Sequence, residues 1–392
     1  MSSTRSSVGR DAAFMRRALR LARQGYGTTS PNPMVGAVLV KGGRIIGRGW
    51  HRRAGAPHAE IEALRDAQKR GHKAKGATLY VTLEPCCTQG RTPPCTDAIV
   101  AAGIRRVVVG AVDPNPRHRG RAFKILRRAG TAVTQGVMAE ECARLNEAFN
   151  HWIVHRTPFV TVKAGMTLDG KIATAAGESR WITGEKARAY GMKLRQGADA
   201  ILVGINTVLA DDPSLTVRMQ NAECRMQKAE ARGAQSAVQR HGLRRIVLDA
   251  RGRTPLAAKV VRDEHSALTT VVVNGSAPRR RAAALARRVR VLAAPGAGKP
   301  INLRWLLKQL GSENVTSLLV EGGGEVNGSF LLQGLAQRVT FFYAPKILGG
   351  RDSRRAVGGR GARTLAESLR LTELEWRRLG PDWLLSARVE AR

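Results

Sequence analysis

The stretch that organises this chain begins with His58-Ala59-Glu60 and ends with Pro85-Cys86-Cys87-Thr88-Gln89-Gly90-Arg91-Thr92-Pro93-Pro94-Cys95. One imidazole and two spaced thiols, from His58, Cys86 and Cys95, can hold a zinc ion and leave its fourth position to water, which is typical of a catalytic zinc. Zinc lowers the pKa of such a water to about 7. Glu60 is then the candidate base that carries a proton from water to a departing amine. The stretch therefore predicts a zinc aminohydrolase.

The order and spacing of these residues match the general deaminase signature, except that eight residues separate Cys86 from Cys95 where the signature has two. A longer loop still closes on one metal at little extra cost. Adjacent side chains in extended chain point in opposite directions, so only one of Cys86 and Cys87 should face the metal. Because residues two apart do not share a helix face, His58 must stand at the helix entrance if Glu60 is to reach the same site. The alternative is a buried histidine among core cysteines.

Length and cysteine content set the broad class. A chain of 392 residues exceeds what one core usually serves, so we expect two domains. Five cysteines, three of them in the proposed site, do not form a disulfide framework and favour a reducing cytoplasm. The N-terminus has no apolar signal segment and no run approaches a membrane span, so we expect a cytoplasmic protein without membrane contact.

The formal charge of +36 raises the question whether the chain binds nucleic acid. The arginines are spread through nearly every segment, and aromatic residues make up only 4%, too few for an obvious base-stacking platform. We interpret the charge as a solvated surface that attracts phosphorylated small molecules, and we expect no nucleic-acid partner. The alternative from another functional class is a nucleic-acid deaminase whose basic second half grips a strand.

Strands alternate with helices along the chain, which implies a layered α/β architecture. In the first half we expect a helix that Asp11 caps and Gly25 ends, a hairpin around Gly42-Gly43, and a helix behind Pro57. A boundary at Arg156-Thr157-Pro158 separates domain 10–155 from domain 157–392. A polar, basic segment from Asn221 to His241 is expected to be a surface insertion.

Two loops are candidates for ligand contact. Asn32, between two prolines, could recognise an amide edge of a substrate or only hold the turn. Gly322-Gly323-Gly324 lies between an apolar strand and a helical segment, where backbone N–H groups could approach a phosphate. An ordinary tight turn explains the triplet equally well, and the Rossmann fingerprint is absent.

These segments, taken in order, resemble one family, the bifunctional riboflavin-biosynthesis deaminase/reductases. The resemblance runs from about residue 10 to about residue 390, and in this family the long gap between Cys86 and Cys95 is normal. The motifs that carry it are Pro31-Asn32-Pro33-Met34-Val35-Gly36, His58-Ala59-Glu60, Thr82-Leu83-Glu84-Pro85-Cys86, Gly90-Arg91-Thr92-Pro93-Pro94-Cys95, Asp113-Pro114-Asn115-Pro116, Thr167-Leu168-Asp169-Gly170-Lys171, Leu209-Ala210-Asp211-Asp212-Pro213 and Val320-Glu321-Gly322-Gly323.

The resemblance implies an α/β chain with a cytidine-deaminase-like, three-layer N-terminal domain and a dihydrofolate-reductase-like C-terminal domain. It implies zinc on His58, Cys86 and Cys95, with Glu60 as the proton shuttle. The first domain would remove the pyrimidine amino group of 2,5-diamino-6-(5-phosphoribosylamino)pyrimidin-4(3H)-one. NADPH would then reduce the ribosyl group of the product to ribityl in the second domain. We also expect a homo-oligomer.

By position, the resemblance also implies contacts in the second domain. Ala250 stands where relatives can carry serine, so a contact there would use the main chain. The implied substrate residues are Ser179, Arg195, Leu215, Arg218 and Glu321, and the implied cofactor residues are Gly165, Trp181, Thr207, Asp211, Ala250, Gly323, Gly324, Glu325, Val326, Asn327, Gly328 and Ser329.

For several of these residues a second interpretation stays open. Arg195 and Arg218 suit a phosphate, since guanidinium gives bidentate charged hydrogen bonds, but each could be a solvated surface group. Glu321 could reach the substrate or cap the following helix. Lys163, which we add as a substrate residue, could polarise the ribosyl carbonyl or be an edge-strand lysine. A third reading of the chain makes the second domain only a binding module for phosphorylated pyrimidines.

Overall fold

Two units, Met1–Arg156 and Thr157–Arg392, make up the chain. The computed structural model describes residues 2–89, 93–217, 242–296 and 300–390. Arg218, part of the Gly90 to Cys95 motif and the insertion predicted at Asn221 to His241 lie outside these ranges. In the described part of the chain, no helix combines the length and the hydropathy that a membrane crossing requires.

The sheet of the first unit has the strand order β2-β1-β3-β4-β5. β1 pairs antiparallel with β2 and β3, and β3-β4-β5 are parallel. The predicted hairpin around Gly42-Gly43 is confirmed, and both glycines have positive φ, 56° and 76°, which only glycine adopts without strain. The strands are β1 (Gly36–Lys41), β2 (Arg44–Trp50), β3 (Thr78–Leu83), β4 (Arg106–Ala111) and β5 (Ala132–Gln135).

Helices cover both faces of this sheet, so the three-layer arrangement is confirmed. α1 packs Met15 and Ala18 against one face, and α2, α3 and α4 bury residues such as Ala63 and Phe123 against the other. A Cβ at Gly49 of β2 would lie 2.2 Å from the carbonyl oxygen of Ala59, so glycine is what lets the start of α2 lie on the sheet. The helices are α1 (Ser2–Ala22), α2 (Ala59–Lys69), α3 (Cys95–Ala101), α4 (Arg121–Arg128), α5 (Ala139–Leu145) and α6 (Glu147–His155).

Asp11 does not cap the first helix, contrary to the sequence prediction. α1 begins at Ser2, and Asp11 lies within it with a buried side chain. Its carboxylate accepts hydrogen bonds from Tyr80 Oη (2.8 Å) and from Arg106 Nη1 and Nη2 (3.1 and 2.7 Å). A capping residue and a buried anchor look alike in sequence, and the tertiary partners on β3 and β4 make Asp11 an anchor.

The main sheet of the second unit has the strand order β11-β10-β9-β8-β12-β6-β13-β16-β15. The strands from β11 to β13 run parallel, and β16 and β15 are added antiparallel at one end. The strands are β6 (Phe159–Thr167), β8 (Ala200–Gly204), β9 (Arg244–Leu248), β10 (Thr269–Asn274), β11 (Arg290–Ala294), β12 (Ser317–Val320), β13 (Arg338–Ala344), β15 (Leu371–Leu379) and β16 (Asp382–Val389); β7 (Lys171–Ala173) and β14 (Arg354–Arg355) form a separate pair.

Helices also cover both faces of this second sheet. Leu306 and Phe330 belong to the core on one face, and Val208 and Leu285 to the core on the other. The sequence did not predict α8, β11 or β15. The helices are α7 (Glu185–Gln196), α8 (Ile205–Asp211), α9 (Lys259–Arg262), α10 (Arg279–Ala286), α11 (Leu303–Ser312) and α12 (Gly324–Leu332).

Candidate active sites

The three candidate zinc ligands of the first unit converge on one point. His58 Nδ1 lies 3.3 Å from Cys95 Sγ and 3.4 Å from Cys86 Sγ. The ligand atoms of all three residues lie within 4.8 Å of one another. One imidazole and two thiols at such distances form a donor set that suits zinc, with one coordination position left for a small molecule.

Secondary structure explains how these ligands meet. His58 is the N-cap of α2, with extended backbone (φ −73°, ψ 164°), as the sequence argument required. Cys86 follows β3, and Cys95 is the first residue of α3, where its N–H donates to Cys86 Sγ at 3.3 Å. Two helix N-termini therefore point at the site, and both favour negative charge there.

The pKa values of Cys86, Cys95 and His58 are shifted by hydrogen bonds within the cluster, and the result favours a bound cation. Hydrogen bonds from Cys95 outweigh burial and lower the pKa of Cys86 to about 4. The hydrogen bond to Cys86 raises the pKa of Cys95 and also that of His58. Cys86 is thus the first thiolate of the pair, and a divalent cation between the two would favour deprotonation of both.

Glu60 lies beside this cluster without belonging to the ligand group. Its side chain is buried in the first turn of α2, only 3% exposed. Burial raises the pKa of Glu60, and the nearby positive charge of His58 partly offsets that rise. A carboxyl whose pKa is raised in this way is a stronger base than one in water and can still return its proton.

Of the two adjacent cysteines, Cys86 belongs to the group of possible ligands and Cys87 does not. Cys87 Sγ instead lies 3.8 Å from His118 Nδ1, and His118 Nε2 lies 3.4 Å from Thr88 Oγ1. Adjacent side chains point to different sides of the loop, as expected for extended chain.

His51 was missed in the sequence and stands next to the cluster. Its ring is buried and meets that of His58 edge to face, with 5.3 Å between centroids. His51 Nε2 contacts Asn32 Nδ2 at 3.1 Å, and His51 Nδ1 contacts the Pro57 carbonyl at 3.1 Å. Asn32 thus reaches the site through His51, while its backbone N–H closes a turn onto Thr29. Only tertiary contact could have revealed His51, which has no motif of its own.

Glu84 of the Thr82 to Cys86 motif holds a loop beside the site. Its carboxylate accepts hydrogen bonds from the backbone N–H groups of Asp113 (3.2 Å), Gly120 (2.9 Å) and Ala122 (3.2 Å). Thr82 Oγ1 accepts from the N–H of Gly36 at 3.1 Å. The polar residues of this motif therefore fasten its neighbours, while Cys86 alone faces the ligand position.

The second unit holds a partly buried ion cluster formed by Lys163, Arg195 and Glu321. Arg195 Nε and Nη2 each donate to a Glu321 oxygen at 2.9 Å, and Lys163 Nζ lies 3.5 Å from Glu321 Oε2. Burial raises the pKa of Glu321, but Lys163 and Arg195 outweigh it and lower that pKa to about 2. The cluster thus carries one net positive charge inside the unit.

Two of the alternatives left open by the sequence are wrong. Glu321 does not cap the next helix, because the N-cap of α12 is Gly323 and no side chain caps it. Lys163 is not on an edge strand, since β6 lies between β12 and β13.

Besides its bonds to Glu321, Arg195 donates a hydrogen bond from Nη1 to the Thr216 carbonyl at 3.1 Å. Contacts within the described residues thus occupy three of the five guanidinium N–H groups.

The other residues implied for substrate do not belong to this ion cluster, and they are described here together with Trp181. Ser179 Oγ donates to Asp211 Oδ1 at 3.1 Å, which joins one implied substrate residue to one implied cofactor residue. Leu215 buries its side chain in the core with φ +51°, so only its main chain could meet a ligand. Trp181 is 65% exposed, and Arg188 lies over its ring at 4.7 Å. Arg218 lies outside the described residues.

The implied cofactor run from Gly323 to Ser329 covers the N-cap and the first six of the nine residues of α12. A Cβ at Gly324 would lie 2.4 Å from the Arg355 carbonyl oxygen, and a Cβ at Gly328 would lie 2.2 Å from the Gly358 carbonyl oxygen. Glycine at these two positions therefore allows the segment around β14 to pack directly on the helix. A Cβ at Gly323 would meet nothing closer than Thr207 Oγ1, at 3.9 Å. Gly323, at the helix N-terminus, is thus the least crowded of these three glycines.

The remaining members of the implied cofactor set are placed as follows. Val326 packs on Gly204 and Gly322, so its side chain is inside the turn. Asn327 is fully buried and donates to the Ala356 carbonyl at 2.8 Å. The Glu325 carboxylate accepts a hydrogen bond from the N–H of Gly359, and the Ser329 hydroxyl donates to the Glu325 carbonyl. The Ala250 carbonyl accepts a hydrogen bond from the N–H of Asn274. Gly165 lies on β6.

Comparisons with known protein families match both units. Residues 9–111 match the family described as the cytidine and deoxycytidylate deaminase zinc-binding region. Residues 158–385 match the family described as the RibD C-terminal domain.

Relatives are similar over nearly the whole chain. Two of them carry the description riboflavin biosynthesis protein RibD. The one from Aquifex aeolicus is 44% identical over 375 residues, 96% of this chain and 97% of that protein. The one from Escherichia coli is 40% identical over 375 residues, 95% and 97% of the two chains.

Two solved structures are similar at full length. Acinetobacter baumannii RibD has 35% identity and a TM-score of 0.83, covering 98% of this chain and 99% of its own. A diaminohydroxyphosphoribosylaminopyrimidine deaminase/5-amino-6-(5-phosphoribosylamino)uracil reductase from Thermotoga maritima has 34% identity and a TM-score of 0.80, covering 98% and 100%.

Proposed function

The chain belongs to the family of bifunctional riboflavin-biosynthesis deaminase/reductases, and from this premise we propose which of its residues carry the two reactions. It is a zinc-dependent pyrimidine deaminase and an NADPH-dependent reductase. The substrate is 2,5-diamino-6-(5-phosphoribosylamino)pyrimidin-4(3H)-one, which loses its amino group as ammonia before the ribosyl group is reduced to ribityl. We assign deamination to residues 10–155 and reduction to residues 157–392.

One observation carries the deaminase assignment: three metal-binding atoms meet within 4.8 Å beside a buried carboxyl that is not one of them. We assign His58, Cys86 and Cys95 as the zinc ligands and Glu60 as the catalytic acid and base. Zinc held there supplies Lewis-acid activation of water at neutral pH.

Glu60 manages the protons of the deamination. Its carboxylate takes a proton from the attacking water and returns it to the amino nitrogen, so that the carbon–nitrogen bond breaks with ammonia as the leaving group. Burial, which raises the pKa of Glu60, makes the carboxyl a stronger base than one in water. Asn32, on the His51 side of the cluster, is assigned to the pyrimidine, where its amide can pair with a ring edge.

In the second unit we assign the ion cluster to the ribosyl phosphate part of the substrate. Lys163 is the group that polarises the ribosyl carbonyl, and Glu321 holds its ammonium in place at 3.5 Å. The two remaining N–H groups of Arg195, together with Arg218, bind the phosphate. Ser179 and the main chain of Leu215 complete the assigned substrate contacts.

NADPH supplies the reducing equivalents when bound, and the residues around the N-terminus of α12 fit it. Gly323 lies at a helix N-terminus, which is a ready site for a phosphate group, and a Cβ there would make only a van der Waals contact, 3.9 Å from Thr207 Oγ1. We assign the cofactor contacts to this turn and to the residues at the ends of neighbouring elements. The full assignment is Gly165, Trp181, Thr207, Asp211, Ala250 and Gly323 to Ser329.

Assays of the purified protein with the phosphoribosyl pyrimidine test these assignments. We expect ammonia release that stops after exhaustive chelation and returns with zinc. We expect NADPH absorbance to fall only when the deaminated product is present, with NADH as the comparison. Deamination by a protein without stoichiometric zinc would overturn the first assignment, and unchanged NADPH absorbance would reduce the second unit to a binding module.

Three further points extend the proposal to the setting of the enzyme. We propose that it works as a homo-oligomer, in the cytoplasm, on a small-molecule substrate with no nucleic-acid partner. Free cysteines support the compartment, because the thiols of Cys86 and Cys95 must stay reduced to hold zinc. Binding of tRNA that weakens by orders of magnitude between low and moderate salt would overturn the small-molecule interpretation of the charge.

A further inference from the structure

We propose that Asn146 is a positioning residue of the deaminase reaction, which fixes the main chain of Met34 and so holds Asn32 where it meets the pyrimidine ring. The inference rests on the assignment of Asn32 to the pyrimidine and adds the residue that keeps Asn32 in place. Three observations carry it: the bonds between Asn146 and Met34, the contact of Asn32 with the zinc-ligand cluster through His51, and the place of Asn146 in the chain.

The side-chain amide of Asn146 pairs with both main-chain polar groups of Met34. The N–H of Met34 donates to Asn146 Oδ1 at 2.8 Å, and Asn146 Nδ2 donates to the Met34 carbonyl at 2.9 Å. These bonds join residues that are 112 positions apart in sequence, and Asn146 is only 4% exposed. Because β1 begins at Gly36, the polar groups of Met34 lie outside the sheet and find their partners in this amide.

Asn146 does not use this side chain for its own helix. It stands at the N-cap of α6, a position where an asparagine side chain commonly accepts hydrogen bonds from the first N–H groups of the helix. In this chain the Asn146 side chain makes no such cap. The amide therefore serves a different segment of the chain, and its loss would not remove a helix cap.

The loop that contains Met34 leads to Asn32 and from there to the zinc-ligand cluster. Only Pro33 separates the two residues, and the fixed φ of proline makes this link stiff. Asn32 Nδ2 contacts His51 Nε2 at 3.1 Å, and the ring of His51 meets that of His58 with 5.3 Å between centroids. The position of Met34 therefore sets where the amide of Asn32 lies relative to the cluster.

Asn146 lies outside the part of the first unit that matches the deaminase zinc-binding region. That match ends at residue 111, whereas the first unit continues to Arg156 and adds α5 and α6. The zinc-ligand cluster and Glu60 lie inside the match, so the contact that orients Asn32 comes from an addition to it. An added element that acts on a substrate contact, and not on the metal ligands, should change KM more than kcat.

Steady-state kinetics of ammonia release by the full-length, zinc-loaded protein test the proposal. Asn146→Ala removes both bonds to Met34, and Asn146→Asp keeps the size of the side chain but places an acceptor against the Met34 carbonyl. We expect either variant to raise KM for the phosphoribosyl pyrimidine about ten-fold, since a shift of about 1 Å in a positioning group can cost about 100-fold. The value of kcat should stay within about two-fold of the wild type, because Asn32 binds the ring equally before and during the reaction. Zinc content by metal analysis and NADPH oxidation with the deaminated product should not change.

Asn150→Ala is the matched control, because it makes the same replacement on α6 and removes a bond from Asn150 Nδ2 to the Ala143 carbonyl (3.0 Å). Its KM should equal that of the wild type. An equal rise of KM in this control would overturn the proposal, since any loosening of α6 would then have the same effect. Lower kcat and zinc content at unchanged KM in the Asn146 variants would also overturn it, because a purely structural role only reduces the fraction of folded protein.

A double-mutant cycle with Asn32→Ala decides whether Asn146 acts through Asn32. If it does, Asn146→Ala should raise KM by less than about two-fold in a protein that already lacks the Asn32 amide. Effects that multiply in the double variant would overturn the proposal and leave the assignment of Asn32 intact. An unchanged KM in Asn32→Ala alone would overturn that assignment, and the proposal with it.

Discussion

The two side-chain clusters to which we assign the reactions differ in how far apart their residues lie in sequence. The deaminase donors all come from the span 58–95, in which two helix starts and the loop after β3 deliver them to one point. The reductase ion cluster takes Lys163 from β6, Arg195 from α7 and Glu321 from the end of β12. The first cluster can be recognised from spacing, and the second exists only once the parallel sheet has formed.

The two clusters also balance charge differently. In the deaminase cluster, Cys86 is the thiolate and is stabilised by the proton on Cys95, so the site suits a cation. In the reductase cluster, two cationic side chains share the single carboxylate of Glu321, and one positive charge is left for an anion. The reactions we propose, one at a metal and one beside a phosphate, are consistent with these opposite balances of charge.

The largest effect is expected for Glu60→Gln, which should remove deaminase activity and leave reductase activity unchanged. The amide keeps the shape of the side chain but cannot carry a proton, so ammonia release should fall by about 10²–10⁴-fold. Zinc content by metal analysis and NADPH oxidation with the deaminated product should both match the wild type. Full deaminase activity in this variant would refute the role of Glu60.

Cys86→Ser and Cys87→Ser sharpen the assignment of ligands. Cys86 belongs to the ligand group and Cys87 does not, so only the first replacement removes a donor. We expect Cys86→Ser to lower zinc affinity by more than the roughly 10–100-fold that follows loss of an outer-shell contact. Cys87→Ser, the matched control on the adjacent residue, should keep stoichiometric zinc. The reverse pattern in competition with a chelating dye would exchange the two assignments.

Glu321→Gln tests whether the reductase cluster is a structural unit as well as a site. It leaves two partly buried cations without their carboxylate, so the free energy of unfolding of the second unit should fall by up to about 3–5 kcal/mol. Glu313→Gln is the control, since Glu313 also pairs with two arginines, of which Arg290 is 43% exposed. Its loss should be about 1 kcal/mol. If urea titrations gave both variants the same loss of unfolding free energy, the lower exposure of the Glu321 cluster would make no difference to stability.

The pH dependence of stability gives the smallest expected effect. The pKa of Glu321 is lowered from 4.5 to about 2 in the folded chain, so its carboxylate stabilises the fold above pH 4.5. That contribution is lost as the pH falls through about 2. The difference in unfolding free energy between wild type and Glu321→Gln should therefore shrink as the pH falls below 4.5. A difference that is constant down to acid pH would mean that the pKa is not lowered.

Much of the first site followed from sequence because its residues are close along the chain. His58 had to stand at a helix entrance for Glu60 to share its site, and the structure confirms that backbone. His51 could not be found in this way, because only the fold brings its ring against that of His58. Asp11 was misread because a cap and a buried anchor have the same local pattern, and the partners that decide between them are about 70 to 95 residues away.

By itself, the sequence determined the layered α/β class, the hairpin at Gly42-Gly43 and the grouping of His58, Cys86 and Cys95, since each depends on local periodicity, turn chemistry or short spacing. Tertiary structure alone decided that Glu321 pairs with Lys163 and Arg195 instead of capping a helix, and that β15 ends the sheet with exposed tryptophans. The physical reason is the same in both cases. A long-range ion pair and the position of a strand in a sheet depend on which distant segments become neighbours, and local sequence does not specify that.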